Sequence, residues 1–191
     1  LSCVAVAAPE IVNTASAAYV DSLGASILVP SNTLRTQSIP ADTPGVVTFY
    51  QFVPLASGGN PGNVFFPFDG SKFDDTGTGN FQPLPGPVDL SGNPISLATP
   101  VEVRPTSVFH VNEPVFITLA DANRNTDPLV REFVEVRVVT STGDVEILLL
   151  QETGPNTGIF SAVVQSVDDS QPVNSFDGKL SLATNTTIRV E

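Results

Sequence analysis

The sequence predicts an all-β protein of the sandwich kind, with long Pro- and Gly-rich loops between its strands. Three observations carry that prediction. Apolar and polar residues alternate at period two along much of the chain, and helical spacing is nearly absent. Seventeen prolines and 14 glycines accompany a charged content of only 15%, a composition of short strands joined by tight turns. An apolar content of 41% lets 191 residues bury a real core, in one large β-domain or two small ones.

The first ten residues, Leu1-Ser2-Cys3-Val4-Ala5-Val6-Ala7-Ala8-Pro9-Glu10, resemble the tail of an export signal, and Ala5-Val6-Ala7 fits the small-x-small pattern before a cleavage point. The same run can also stand as a β-strand. The chain contains no Met, which predicts a processed or shortened product. Its one cysteine, Cys3, forms no internal disulfide; it is a small apolar residue or an intermolecular link.

A first unit follows from Ile11 to about Thr36. Ala15 to Val20 and Ala25 to Val29 flank the turn Asp21-Ser22-Leu23-Gly24 and predict a hairpin. A Pro-bearing connector, Ser38 to Gly45, leads to a strong strand over Val46 to Val53. From Pro54 to Pro105 proline and glycine dominate, yet the patch Val64-Phe65-Phe66-Pro67-Phe68 argues for short strands and ordered loops, since disordered segments are poor in aromatics. Beyond Pro105 the pattern is regular. Strands are expected over Val115 to Ala120, Phe133 to Thr140, Val145 to Leu150, Gly158 to Gln165 and Thr187 to Glu191, with hairpin turns at residues 141–144 and 154–158. The expected regions are residues 1–45, 46–104 and 105–191. The chain stops inside the last strand pattern, which predicts a cut or a strand completed by a neighbour.

Two stretches resemble known modules. Residues 11–21 (IVNTASAAYVD) with Ser31-Asn32-Thr33 resemble the closing strands of conserved Ig-like repeats in long bacterial surface proteins. Residues 115–166, "VFITLADANRNTDPLVREFVEVRVVTSTGDVEILLLQETGPNTGIFSAVVQS", are similar to extracellular Ig-like repeats with the pattern "D.N.D…E.V.V…GD.E…L.ETG.NTG.F". The resemblance implies an immunoglobulin-like β-sandwich in an exported surface protein, with a role in adhesion, surface layers or fibres, and no catalytic residues. Residues 46–105 carry no such resemblance.

The sharpest candidate site is Asp121-Ala122-Asn123-Arg124-Asn125-Thr126-Asp127, with Glu132 further on. Counting from Asp121, the side-chain oxygens of Asp121, Asn123, Asn125, Asp127 and Glu132 fall at positions one, three, five, seven and twelve. Calcium takes six to eight oxygen ligands, and an EF-hand loop uses these positions. However, Thr126 stands where that loop has glycine, Pro128 follows, and the flanks predict strands. Asx residues also make turns without metal, so both readings stand. Glu152-Thr153-Gly154-Pro155-Asn156-Thr157-Gly158 is accounted for as a hairpin connector. Asp74-Asp75 and Asp168-Asp169 are expected to be solvated loop acids.

The inventory for catalysis is poor. His110 is the only histidine, in a strand-like run, where a packed or edge residue is expected. There is no Gly-x-Ser-x-Gly elbow, no Cys/His cluster for zinc and no phosphate-binding Gly-rich loop. With no Trp, the usual sugar-stacking platform is missing as well. The formal charge of −12 repels phosphate backbones and anionic lipid, and no apolar run has the length of a membrane span.

These observations point to an extracellular or cell-surface structural subunit (fibre, surface layer or adhesin) and not to an enzyme. Its expected partners are neighbouring copies or adjacent domains, met by β-strand pairing through Leu1, Cys3, Val4 and Val6, in a homo-oligomer or filament. The alternative is a calcium-dependent module that binds carbohydrate or another surface protein.

Overall fold

The computed structural model describes residues 10–13, 16–30, 34–37, 43–54, 61–168 and 173–191. It forms two compact units, Leu1–Asp42 and Thr43–Glu191. In the first, β1 (Glu10–Asn13), β2 (Ser16–Val20), β3 (Ser26–Pro30) and β4 (Leu34–Gln37) make two antiparallel pairs, β1 with β4 and β2 with β3. The β2–β3 connection is the expected hairpin turn. Asp21 Oδ1 accepts the N–H groups of Leu23 at 2.9 Å and Ala25 at 2.8 Å, and Gly24 takes a φ of 82°.

The second unit is built from β5 (Val46–Phe52), β6 (Val64–Phe66), β7 (Lys72–Asp74), β8 (Phe81–Pro83), β9 (Val101–Pro105), β10 (Pro114–Ala120), β11 (Phe133–Thr140), β12 (Val145–Glu152), β13 (Ile159–Asp168), β14 (Lys179–Leu182) and β15 (Ile188–Val190). Pairing is antiparallel except between β13 and β14. β12 and β13 pair only beside their turn, at Gln151↔Ser161 and Glu152↔Phe160, and then part. β12 continues between β11 and β7, whereas β13 continues between β10 and β14. The result is an all-β sandwich. One layer runs β15-β11-β12-β7-β8 and the other β14-β13-β10-β5-β9-β6.

The main core lies between the layers. Val115, Ile117 and Leu119 of β10 and Phe160, Ala162 and Val164 of β13 meet Val136 and Val138 of β11 and Leu148 and Leu150 of β12, with Leu180 and Leu182 beside them. A second core covers the opposite face of β10 and β13, where Phe116 and Val163 are displayed. There Tyr50, Phe68, Ile95, Val101 and Val103 close over them, and the Phe68 and Phe116 rings sit 4.8 Å apart edge to face. The Pro- and Gly-rich stretch is therefore the lid of this second core. Residues 46–104 also share backbone pairing with residues 105–191, through β5 on β10 and β7 on β12.

The strands expected after Pro105 are present as β10, β11, β12, β13 and β15, within a few residues at their ends. β14 was not expected: its four residues, Lys179-Leu180-Ser181-Leu182, are too few to display a period.

Candidate functional site

The five candidate calcium ligands and the Glu152–Gly158 turn meet at one end of the sandwich, in the β10–β11 and β12–β13 connections. Asp121 ends β10 and its Oδ1 accepts the Asn123 N–H at 3.0 Å, opening a single 3-10 turn over Ala122–Arg124. Asp127 Oδ1 accepts the Leu129 N–H at 3.0 Å. Glu132, back at the start of β11, turns onto this loop: its Oε2 accepts the N–H groups of Thr126 at 2.6 Å and Asp127 at 3.2 Å, and the Thr126 hydroxyl donates to its Oε1. That hydroxyl, with the two N–H groups, holds the Glu132 carboxyl below its ordinary range.

The second connection is organised by Glu152, which is fully buried. Its Oε1 accepts the N–H groups of Thr157 at 2.6 Å and Gly158 at 2.8 Å. Gly158 has a φ of 61°, and a Cβ there would stand 3.2 Å from the Ala122 backbone, so this close approach needs glycine. The two connections are one structure. Asp121 N–H donates to the Gly158 carbonyl at 2.8 Å, Glu152 N–H to the Glu132 carbonyl at 2.9 Å, and Asn125 Nδ2 to Asn156 Oδ1 at 2.9 Å. Arg131 completes it, donating from Nε to the Glu152 carbonyl at 2.6 Å and from both guanidinium ends to Asp69 at 3.0 and 3.1 Å.

The five expected calcium ligands thus share one loop, but their oxygens are largely engaged. Asp121, Asp127 and Glu132 accept bonds from their own backbone, and Arg124 Nε stands 3.9 Å from Asp121 Oδ2. Asn123 directs its amide nitrogen at Thr43. Asn125 Oδ1 is the exception, buried and without a hydrogen-bond partner among the described residues. Among those residues no three carboxylate, imidazole or thiol side chains converge as a metal centre. A calcium ion here would have to replace the N–H groups that now satisfy the acids.

Three other acids are buried, one of them against expectation. Asp74 is not solvated but buried, and accepts the N–H groups of Thr76, Gly79 and Asn80. Burial pushes its carboxyl up, but these bonds together outweigh burial and hold it at about 2. Glu146 and Asp144 are fully buried where β12 begins. Glu146 accepts the Asp177 N–H at 3.1 Å and the Gly178 N–H at 3.0 Å, while Asp144 Oδ2 accepts the Ser181 N–H at 2.7 Å. Burial pushes Glu146 up to about 8, helped by the charges of Asp144 and Asp177, and burial also raises Asp144. The signal for Glu146 and Glu152 was present in the sequence: they share the parity of Leu148 and Leu150, the inward face of β12.

His110 is not packed in a strand. It lies in the loop before β10 with its side chain 76% exposed, and its Nδ1 stands 3.2 Å from Glu113 Oε2. Asp168 closes β13 in an exposed position. The expected interaction residues Leu1, Cys3, Val4 and Val6, together with Asp169, lie outside the described residues.

A separate feature opens between the layers. A cavity of about 620 Å³ is walled by Phe49 of β5, Val108, Phe109 and Val111 of the loop before β10, and Leu182 and Ile188 around the β14–β15 connection. The rest of its wall is Ser, Ala, Thr and Asn, and no charged residue lines it. Both flanking strands have an open side. β9 pairs with β5 over Tyr50 to Phe52, the Thr106 N–H continues that edge to the Phe49 carbonyl at 3.0 Å, and β15 pairs with β11 alone, so among the described residues no strand covers the outer edge of Val46–Thr48 or of β15. Comparisons of the chain with protein-family models, with curated proteins and with solved structures find no match.

Proposed function

We propose that this protein is an extracellular structural subunit or surface-protein module that associates with neighbouring copies or domains through β-strand pairing. The observation that carries this reading is the pair of open strand edges, Val46–Thr48 of β5 and β15, on either side of an uncharged cavity of mixed apolar and hydroxyl-bearing wall. Open edges with apolar flanks are where an added strand gains backbone hydrogen bonds and side-chain burial together. The acidic surface disfavours nucleic acid and anionic lipid as partners, and among the described residues no helix is long and apolar enough to cross a membrane. The test is the size of the full chain in solution and in electron micrographs. Oligomers or filaments that disappear when residues 1–8 are deleted support strand pairing; a monodisperse monomer at every concentration overturns it.

A second reading is favoured by the orphaned Asn125 Oδ1, a buried oxygen of the kind that calcium takes. It makes the protein a calcium-dependent module for carbohydrate or another surface protein, with Asp121, Asn123, Asn125, Asp127 and Glu132 turned inward. Loss of thermal stability in a chelator, restored by calcium and absent in Asp121→Ala, supports this reading. An unchanged melting curve removes it.

A further inference from the structure

We propose that the first residues of β12 form a calcium site, in which Asp144 and Glu146 act with Ser175 and Asp177 of the turn leading into β14. The site is independent of strand pairing, and it lies at the opposite end of β12 from the Asp121–Glu132 loop.

Two carboxylates are enclosed here. Asp144 and Glu146 are both fully buried, two residues apart and so on the same inward face. Among the described residues no ion pair reaches either of them. Enclosing a carboxylate without a counter-charge is costly, and hydrogen bonds offset only part of that cost. Both Glu146 oxygens are engaged, Oε1 by the Asp177 N–H and Oε2 by the Gly178 N–H. Asp144 Oδ2 accepts the Ser181 N–H. Asp144 Oδ1 is the exception: it is buried and has no hydrogen-bond partner among the described residues. A carboxylate closed off from water with one oxygen unanswered calls for a cation.

The neighbouring groups say which cation. The Ser175 hydroxyl, which accepts the Val145 N–H at 3.0 Å, stands beside the Asp144 carboxylate and eases its charge without reaching bonding geometry. The negative charge of Asp177 acts on both buried acids. Its side chain is exposed and its Oδ1 accepts the Lys179 N–H at 3.0 Å, which leaves Oδ2 available to an ion. The three carboxylates do not converge beforehand, so Asp177, the exposed one, is the group that turns in. Three carboxylates and a hydroxyl are hard oxygen donors, suited to calcium, which takes six to eight oxygens in flexible geometry and completes its shell with water. Without the ion Glu146 keeps a proton up to about pH 8, and calcium displaces that proton.

The test adds calcium alone to the full chain after chelation, at pH 8 and constant ionic strength, and reads binding by calorimetric titration and stability by melting. At about 100 times the dissociation constant, the melting midpoint should rise by about 5–10 °C. Asp144→Asn removes the charge but keeps an oxygen for the Ser181 N–H. It should fold, bind one calcium fewer per chain and lose the rise. Asp177→Asn, at an exposed position, should weaken binding by about tenfold or more. Asp121→Ala should keep both the bound calcium and the rise.

Neither heat nor a rise in the unaltered chain overturns the site. Binding lost in Asp121→Ala but kept in Asp144→Asn and Asp177→Asn places the ion in the other loop, which also overturns it. A rise kept in all three variants belongs to screening of the acidic surface and overturns it as well. Should Asp144→Asn fail to fold, Asp177→Asn decides alone: unchanged affinity there rejects the site.

Discussion

β12 buries every second side chain, whereas β10 buries six in succession, from Pro114 to Leu119. The cause lies in what covers them. β12 belongs to the layer with a single core beneath it, and Ile147 and Leu149 on its other face remain half-buried. β10 lies between the main core and the Phe68–Phe116 core, so both of its faces are enclosed. The comparison teaches that the Pro- and Gly-rich stretch is a packing layer, held by the same apolar burial as the strands it covers. The most direct way to break it is Phe116→Ala, which removes a fully buried ring from the second core alone. A loss of about 3–5 kcal/mol is expected in urea unfolding, as large as for a ring in any core. A loss below about 1 kcal/mol would show the stretch to be only loosely attached.

The outer layer differs from the inner one in a further way: its inward face ends in carboxylates. Glu146, raised to about 8, binds a proton on folding wherever the pH lies between its unfolded value of 4.5 and about 8. Its stabilisation is full below the lower value and is lost as pH rises through the upper one. The midpoint temperature is therefore expected to fall steadily from pH 5 to pH 8, with most of that slope removed by Glu146→Gln and the remainder carried by Asp144. Asp74 has the opposite sign. Held at about 2 against an ordinary 3.8, it stabilises above 3.8, and that contribution is lost as pH falls towards 2. A melting curve that stays flat from pH 5 to 8 would show Glu146 to be charged in the native state.

At the far end of the same β12 face, Glu152 tests whether the turn or the strand needs the acid. Glu152→Ala leaves the Thr157 and Gly158 N–H groups without their acceptor. A cost of about 2 kcal/mol is expected from leaving the buried Gly158 N–H and the partly covered Thr157 N–H without that acceptor. Hydrogen exchange should quicken at Thr157 and Gly158 before it quickens at Leu148. Uniform loosening of β12 would instead place the effect on the strand.

How much of this was legible follows the same division. β11 and β12 show their alternation in sequence, and the inward parity of Glu146 and Glu152 can be read from it. β10 is legible as a strand, but an unbroken apolar run does not say what covers each face. β6, β7 and β8 have three residues each, too few for a period, so the pairing of Lys72 and Phe73 with Leu149 and Leu148 could not be foreseen. The two loops of the candidate site were each recognisable by their turn residues. Their union was not, because it depends on the β10–β13 register that sets Ala120 opposite Ile159.

Arg131 offers the finest test, since it joins the two regions with polar contacts only. Its guanidinium spans from Asp69, in the Pro- and Gly-rich stretch, to the Glu152 carbonyl beside the turn, and it holds the Asp69 carboxyl below its ordinary range. Because Asp69 is about half exposed, the pair is screened, but the side chain of Arg131 is only 27% exposed and its fork is engaged at both ends. Arg131→Ala should therefore cost about 1–2 kcal/mol. Arg131→Lys should recover only part of that, since an ammonium cannot span both acceptors. Arg137 is the control within the outer layer. It pairs with Glu191 at 2.9 Å, but both side chains are over 40% exposed, and Arg137→Ala should cost no more than about 0.5 kcal/mol. If the two alanine variants lose the same small amount, apolar burial alone holds the lid, and the arginine contributes nothing to the joint between the regions.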